Sequence, residues 1–414
     1  MFSLLRRHFP ALAVPPIPEA WLTPERIKDW GLVCITTYVL VAFAWISGTE
    51  DFIEPSGAPI GHDFLSFWSA SLIALGGAAA AAYDPAQIAV AHKVVAPGMP
   101  GVLPWSYPPT YLLAVLPLAL IPYLASFFLF IGLTFCAYAA VVYWIAPTAL
   151  TLLMLIASPG AFLNTFHGQN GFLTGALLGA ACYYMDKRPV RAGIAIGLLA
   201  YKPHWAILFP IALAADRRWR TFAAAAVTAV AFAGASLAVL GVEPWIAFLD
   251  NLPFIGMVVE QGKLPWPKMP TTFVTFRQLG VGIDLAHALQ LCIAFAAAAA
   301  VAWTWSQPVP VGLKGAMVVV ATTLATPYLF DYDLAALAIP LALLAREGMI
   351  RGFLPGERIA LIVAWAIPLI GSHLAFKFGV QATPLVMAAL IALMIRRARV
   401  HLGLPGLRPA PRYA

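Results

Sequence analysis

Charge is what this sequence has least of. Of its 414 residues only 10% are Asp, Glu, Lys or Arg, while 62% are hydrophobic; a soluble domain carries roughly 25% charged residues. That shortage argues against a water-soluble protein, and no polar block is long enough to form a soluble domain beside the apolar ones. Cysteine is scarce too. Cys34, Cys136, Cys182 and Cys292 all lie inside apolar runs, with no CxxC or Cys/His spacing, which argues against a disulfide framework or a zinc site. The net charge of +7 is scattered between apolar segments and forms no patch, so nucleic acid is not an expected partner. Also lacking are two matched halves of the kind that transporters show, and a DxD-type metal motif on a soluble domain. Asp331-Tyr332-Asp333 has the letters of one but stands among apolar segments.

What the chain has is a succession of apolar runs. A spanning helix needs ~20 apolar residues to cross ~30 Å. Candidates lie at 31–48, 124–144, 147–163, 170–185, 190–201, 203–215, 219–241, 283–305, 311–326, 334–346, 359–375 and 382–395. Arg6 and Arg7 are not followed by a short apolar stretch with a small-residue cleavage site, so 31–48 reads as a retained first span. The run 107–122 holds Pro108, Pro109, Pro117 and Pro122 and reads as a re-entrant or surface-lying helix. The expected fold is therefore an all-α polytopic membrane protein of about twelve transmembrane helices, with re-entrant or juxtamembrane helices in the first outer loop. A break or tilt is expected at Lys202-Pro203, where two spans are short.

Basic residues fix the sides. With both termini inside, nineteen of the 25 Lys and Arg residues fall on the inner face and six (Lys93, Lys202, Lys263, Lys268, Arg277, Lys377) on the outer. The whole of 1–414 then forms one membrane-embedded domain. It has a cytoplasmic segment 1–30, a first outer loop 49–123, a second outer loop 242–282 and a cytoplasmic tail 396–414. The second outer loop, with Lys263, Trp266, Lys268 and Arg277, reads as a solvated loop or as a contact for acceptor or lipid headgroup.

The polar motifs all fall on the outer side of this topology. "GHDF" (61–64) follows the first span, "WSYPPTY" (105–111) opens the re-entrant run, and "NTFHGQNG" (164–171), "YKPH" (201–204) and "TPYLFDYD" (326–333) join later spans. Ionisable groups at membrane depth default to functional roles, and five such motifs at one level point to one cavity. Each also has a structural reading: Asp63 as the N-cap of an interfacial helix over 64–82, Asn164/His167/Gln169/Asn170 as a polar turn, Lys202 as a snorkelling residue, Asp331 and Asp333 as caps.

An Asp after the first span, then "YDP" (83–85), "YPP" (107–109), "GQN" (168–170), "KP" (202–203) and a late segment with "YD" (332–333), in that order, resembles glycosyltransferase family 87. Its members are membrane-embedded GT-C-fold enzymes, among them polyprenol-phosphate-mannose-dependent mannosyltransferases of bacterial envelopes. The resemblance runs from about residue 60 to 340. It implies Asp63 as catalytic base, and substrate-binding roles for Gln169 and Lys202, with His62, Tyr107, His167, Asn170, His204, Asp331 and Asp333 around them. Some mannosyl-transferring members carry histidines in the late segment, where this chain has Asp331 and Asp333; the sugar, mannose by resemblance, stays open on that account.

The chemistry fits these residue types. In a polyprenyl-phosphate sugar the lipid phosphate is already a leaving group. The enzyme has to take a proton from an acceptor hydroxyl, which a carboxylate does, and to steady charge growing on the phosphate, which a cation does. No cofactor or metal is needed. One base acting by direct displacement predicts inversion; retention would want a second carboxylate, Asp331 or Asp333. The expected activity is hexose transfer from a polyprenyl-phosphate-sugar donor to a lipid or glycan acceptor, at the outer face of the cell membrane. A lipid or sugar transporter or flippase, and a polysaccharide ligase, are the alternatives.

Overall fold

The computed structural model of the chain describes residues 22–404. Arg6, Arg7, most of the expected segment 1–30 and the end of the expected tail lie outside the described residues. Those described form a helical protein; among them there is no strand, only two isolated bridges at Glu50–Ile53 and Ile53–Pro59.

In chain order the helices are α1 (Pro24–Ser47), α2 (His62–Leu75), α3 (Pro85–His92), α4 (Pro109–Val115), α5 (Tyr123–Ile145), α6 (Ala149–Ile156), α7 (Pro159–His167), α8 (Gly171–Tyr184), α9 (Pro189–Leu198), α10 (Phe209–Ala215), α11 (Trp219–Leu240), α12 (Glu243–Glu260), α13 (Thr272–Gln278), α14 (Ile283–Ser306), α15 (Val311–Ala325), α16 (Ala338–Arg351), α17 (Glu357–Phe378) and α18 (Thr383–His401). Among the described residues α1, α5, α11, α14 and α17 are long and apolar enough to cross a membrane. The pair α6–α7, bent by 48°, makes a sixth if it counts as one span. Most other apolar runs are helical but shorter, so helix length supports five or six spans where the sequence suggested about twelve. Val39, Leu40 and Phe43 on α1, Val227 and Val230 on α11, and Phe295 on α14 point outward. Such a belt would aggregate in water and suits a lipid solvent.

Local chemistry explains the boundaries. α1 begins seven residues before the apolar run at 31, because the Thr23 hydroxyl accepts from the Arg26 amide at 3.4 Å and Pro24 takes the first turn. The proline-rich run 107–122 yields only α4 and a 3₁₀ turn at Leu116–Leu120. Together they reach roughly 20 Å, too little to cross. They are tied to α2 instead. The Ser71 hydroxyl donates to Leu116 O at 2.6 Å and accepts from Ala119 N at 3.0 Å, and Trp68 Nε1 donates to Ile121 O at 3.1 Å. The expected break at Lys202-Pro203 is present: α9 ends in 3₁₀ turns at Leu199–Tyr201 and Pro203–Trp205, with Lys202 between them at φ −142°, ψ 69°.

Two regions differ from the sequence reading. The tail residues Arg396 to Arg399 belong to α18, and Arg397 is buried against Glu357 of α17. The second outer loop is no open loop: it contains α12 and α13 and a 3₁₀ turn at Trp266–Lys268.

The helix that delivers Lys202 is set by close packing. A Cβ at Gly193 would lie 2.5 Å from both Ala224 Cβ and Thr221 O, and one at Gly197 would lie 2.5 Å from Ala225 O and Thr228 Cβ. This Gly-x-x-x-Gly face lets the α9 backbone rest directly on α11, as small residues do between membrane helices. Gly197→Val should therefore force the helices apart, costing about 1–3 kcal/mol or more. The expected reading is a lower melting temperature for the detergent-solubilised variant; an unchanged one would show that the pair does not hold the fold.

Candidate active site

Two glycines bring Asp63 and Gln169 together. Gly61 precedes α2 at φ 67°, and Gly168 ends α7 at φ 73°. A Cβ at Gly61 would meet the Phe127 ring at 2.3 Å, and one at Gly168 would meet Phe64 Cβ at 2.7 Å and Gly61 O at 3.0 Å. Only glycine accepts both the backbone angle and the contact. The Tyr123 hydroxyl donates to Ile60 O at 2.8 Å and Gly61 O at 2.9 Å and so pins the first of these turns.

Asp63 sits in the first turn of α2 and does not cap it; Gly61 is the N-cap, and no side chain bonds to the free amides. Its carboxylate turns to other partners. Oδ1 lies 2.9 Å from His62 Nε2, Oδ2 accepts from Gln169 Nε2 at 3.0 Å, and His167 Nδ1 stands 3.9 Å from Oδ2. The Gln169 amide has its orientation fixed from behind, because its Oε1 accepts from the Tyr107 hydroxyl at 3.3 Å and from Asn170 N at 3.4 Å. Burial alone would raise the Asp63 carboxyl. The hydrogen bond and charge of His62, with His167 and Gln169, outweigh it and hold the group at about 2. For His62 burial works downward, and the bond and charge of Asp63 win, so the imidazole is raised. Asp63 is thus ionised across the neutral range and 17% exposed.

A second group lies behind the first. Lys202, 3% exposed, donates to Asn170 Oδ1 at 2.8 Å and pairs with Asp333. Its Nζ is 5.8 Å from the centre of the Tyr107 ring and 5.9 Å from that of Tyr332, a cation between two aromatic faces. Tyr107 joins the groups, its ring beside Lys202 and its hydroxyl on Gln169. Asp333 also accepts from Phe330 N at 3.1 Å, so the capping reading holds for it in part. Lys202 does not snorkel; it is neutralised inside the protein.

Tyr107, Lys202, His204, Tyr332 and Asp333 line a cavity of about 300 Å³. Its far wall is apolar: Phe248, Leu252, Ile255 and Val259 of α12, with Phe273. His204 stands in this wall with its ring 6.4 Å from that of Tyr328, and its Nε2 has no partner within the protein. Asp331 lies to one side, accepting from Ser372 Oγ at 3.0 Å and Tyr332 N at 2.9 Å. The structure therefore unites His62, Asp63, Tyr107, His167, Gln169, Asn170, Lys202 and Asp333 directly, and sets His204 and Asp331 at the margins.

Sequence reasoning missed three features. The α12 wall had a signal: Phe248, Leu252, Ile255 and Val259 recur at the 4-3-4 spacing of a helix face. The Glu260–His287 pair, 2.8 Å apart at the cavity, had none, since the partners lie far apart in sequence. Ser372 had none either.

His62, Asp63 and His167 place three possible ligand atoms within 4.8 Å of one another, enough to begin a metal site. Against this, the Lys268 ammonium lies 3.4 Å from His167 Nε2. A fixed positive charge there opposes a second cation and engages the lone pair on the outer ring nitrogen.

The sequence profile of glycosyltransferase family 87 matches residues 105–327, more than half of the chain. The chain belongs to glycosyltransferase family 87. It is a glycosyltransferase enzyme built on apolar, membrane-capable helices. No curated protein and no solved structure compared with it matches. The matched stretch carries Tyr107, His167, Gln169, Asn170, Lys202 and His204 of this family-87 enzyme, while Asp63, Asp331 and Asp333 fall outside it and join the site through the contacts above.

Asp331 provides a pH test. Burial pushes its carboxyl up to about 6, with Lys268 and the Ser372 hydrogen bond pulling the other way. The folded state then binds this proton more tightly than the unfolded chain, where a carboxyl titrates near ~3.9. Its contribution to stability is fullest below about pH 4 and declines as pH rises through 6. Asp331→Asn should flatten that part of the melting-temperature profile between pH 4 and 7. A mutant that keeps the wild-type slope would assign the titration to another group.

Proposed function

We propose that this family-87 enzyme transfers a hexose, mannose by resemblance, from a polyprenyl-phosphate donor to a hydroxyl of a lipid or glycan acceptor. In this reading Asp63 is the general base, the anomeric centre inverts, and the reaction takes place on the outer face of the cell membrane, in a GT-C-type arrangement of about twelve spans. The observation that carries it is the Asp63 carboxylate: ionised, aimed by His62 and Gln169, partly exposed, and not consumed as a helix cap. A group held near 2 is a weak base towards a resting hydroxyl. Proton transfer then accompanies bond formation, as the attacking oxygen becomes acidic. Inversion is favoured because the other carboxylates are occupied, Asp333 by Lys202 and Asp331 by Ser372. The apolar wall of α12 suits the prenyl chain of the donor, and the Lys202–Asp333–Tyr107 floor offers polar groups to a sugar.

The test is transfer by the purified protein in detergent, with polyprenyl-phosphate hexoses as donors and membrane lipid extracts as acceptors. Product formed in detergent supports the transferase reading. Activity that exists only in sealed vesicles, as net movement of a lipid or sugar, would replace it with transport.

A further inference from the structure

The site contains two lysines; one is locked in an ion pair, and the other acts on the Asp331 carboxyl only from beyond salt-bridge distance. Lys202 is buried, paired with Asp333 and bonded to Asn170. An anion brought to it would have to displace a carboxylate already in place. Lys268 differs. Among the described residues no carboxylate lies within salt-bridge distance of it, and its one polar partner is the uncharged-type acceptor His167 Nε2 at 3.4 Å.

Lys268 is also held in place. It closes the 3₁₀ turn Trp266–Lys268, between prolines at 265, 267 and 270. Gln381, 1% exposed, donates through Nε2 to Trp266 O at 2.8 Å and Pro267 O at 3.2 Å, and Trp266 Nε1 donates to Val259 O at 2.8 Å. A lysine on a merely solvated loop needs no such support. On the other side of the same imidazole, His167 Nδ1 is buried, has no hydrogen-bond partner, and faces Asp63 Oδ2 at 3.9 Å. One ring thus separates the Lys268 ammonium from the carboxylate, with its buried, unbonded inner nitrogen turned to Asp63.

We propose that Lys268 binds the phosphate of the lipid-linked donor, with the His167 ring as the spacer between that phosphate and the Asp63 carboxylate. The inference rests on the transferase reading above and names the residue that steadies its leaving group. In the step, the acceptor oxygen forms its bond to the anomeric carbon as the bond from that carbon to the phosphate oxygen breaks. The electron pair leaves with the phosphate, towards Lys268, and the hydroxyl proton passes to Asp63. His167 Nδ1 faces the Asp63 carboxylate at 3.9 Å, so the ring links the charge of the base to the phosphate side. Lys202 is assigned to holding the polar floor and not to the phosphate.

The experiment measures binding of farnesyl phosphate and of farnesol to the full-length protein in detergent, by microscale thermophoresis. Wild type should hold the phosphate on the order of 10- to 100-fold more tightly than the alcohol, the worth of one charge-assisted hydrogen bond. Lys268→Met and Lys268→Gln should both lose most of that ratio and keep their affinity for farnesol, and Lys268→Arg should retain much of it. If both neutral variants discriminate as well as wild type, Lys268 is not the anion subsite. If wild type itself shows no preference for the phosphate, the lipid-phosphate donor fails along with it. If inorganic phosphate displaces farnesyl phosphate at equal concentration, the lysine serves a free anion and the assignment to the donor is overturned.

Discussion

Asp63→Asn should lower glycosyl transfer by about 10²–10⁴-fold, the usual worth of a positioned general base, while the protein still folds. The substitution keeps the shape of the side chain and removes its charge. It takes no bond from the start of α2, because Asp63 gives none; Gly61 makes that turn, and Tyr123 pins it. What changes is the ring of donors around the carboxylate. His62 and Gln169 both offer hydrogens, and Gln169 cannot turn its amide without losing the Tyr107 hydroxyl. One of the two must therefore face the new amide nitrogen. His62 can meet it by moving its proton to Nδ1 and accepting through Nε2; a pair left unmatched would cost about 1–3 kcal/mol of stability. Turnover of the purified variant is the measurement. Near-wild-type turnover would leave Asp63 as a structural partner of His62 and Gln169.

The second large effect is on stability. Lys202→Met should destabilise the protein by roughly 3–5 kcal/mol, because it leaves the Asp333 carboxylate buried without its cation. Asp333 is 1% exposed, and the 3₁₀ turn that contains it holds the carboxylate at the cavity wall, away from the protein surface. Lys202→Arg should also lose stability, since a planar guanidinium does not fit the space between Tyr107 and Tyr332 that a compact ammonium fills. The double change Lys202→Met/Asp333→Asn removes both charges and should recover a large part of the loss. Thermal unfolding in detergent of the two single variants and the double reads out the coupling. Strict additivity of the single effects would mean that the pair does not act as a unit.

The parts of this fold that were legible in the sequence are those encoded locally. Apolar runs located nearly every long helix, the prolines of 107–122 marked a segment unable to span, and Lys202-Pro203 marked a break. The polar motifs were found because charge is so rare in this chain that each ionisable residue stands out. What stayed hidden depends on partners distant along the chain. Nothing near Lys202 announces Asp333, 131 residues away, and nothing near Asp63 announces that Gln169 and His167 will relieve it of a capping role. The second outer loop was misjudged because Asp250 and Pro253 interrupt its apolar residues; tertiary packing over the cavity makes it a helix nonetheless. Helix length alone supports five or six spans, since several apolar runs become short helices joined by turns.

The contrast between the two sides of the cavity sets how such a protein can diverge. On the polar side each group completes another: Tyr107, which lines the cavity, orients Gln169 behind it, Gln169 aims Asp63, and Asn170 and Asp333 fix Lys202. A single change there strands a neighbour, so the floor is inherited whole or lost. On the α12 wall, Phe248, Leu252, Ile255 and Val259 meet the cavity through shape alone, and one can be traded for another apolar residue without leaving any polar atom unpaired. New donor or acceptor preferences should accordingly arise by mutation along α12, and a laboratory selection for altered substrate scope should recover its changes there while the floor stays as it is.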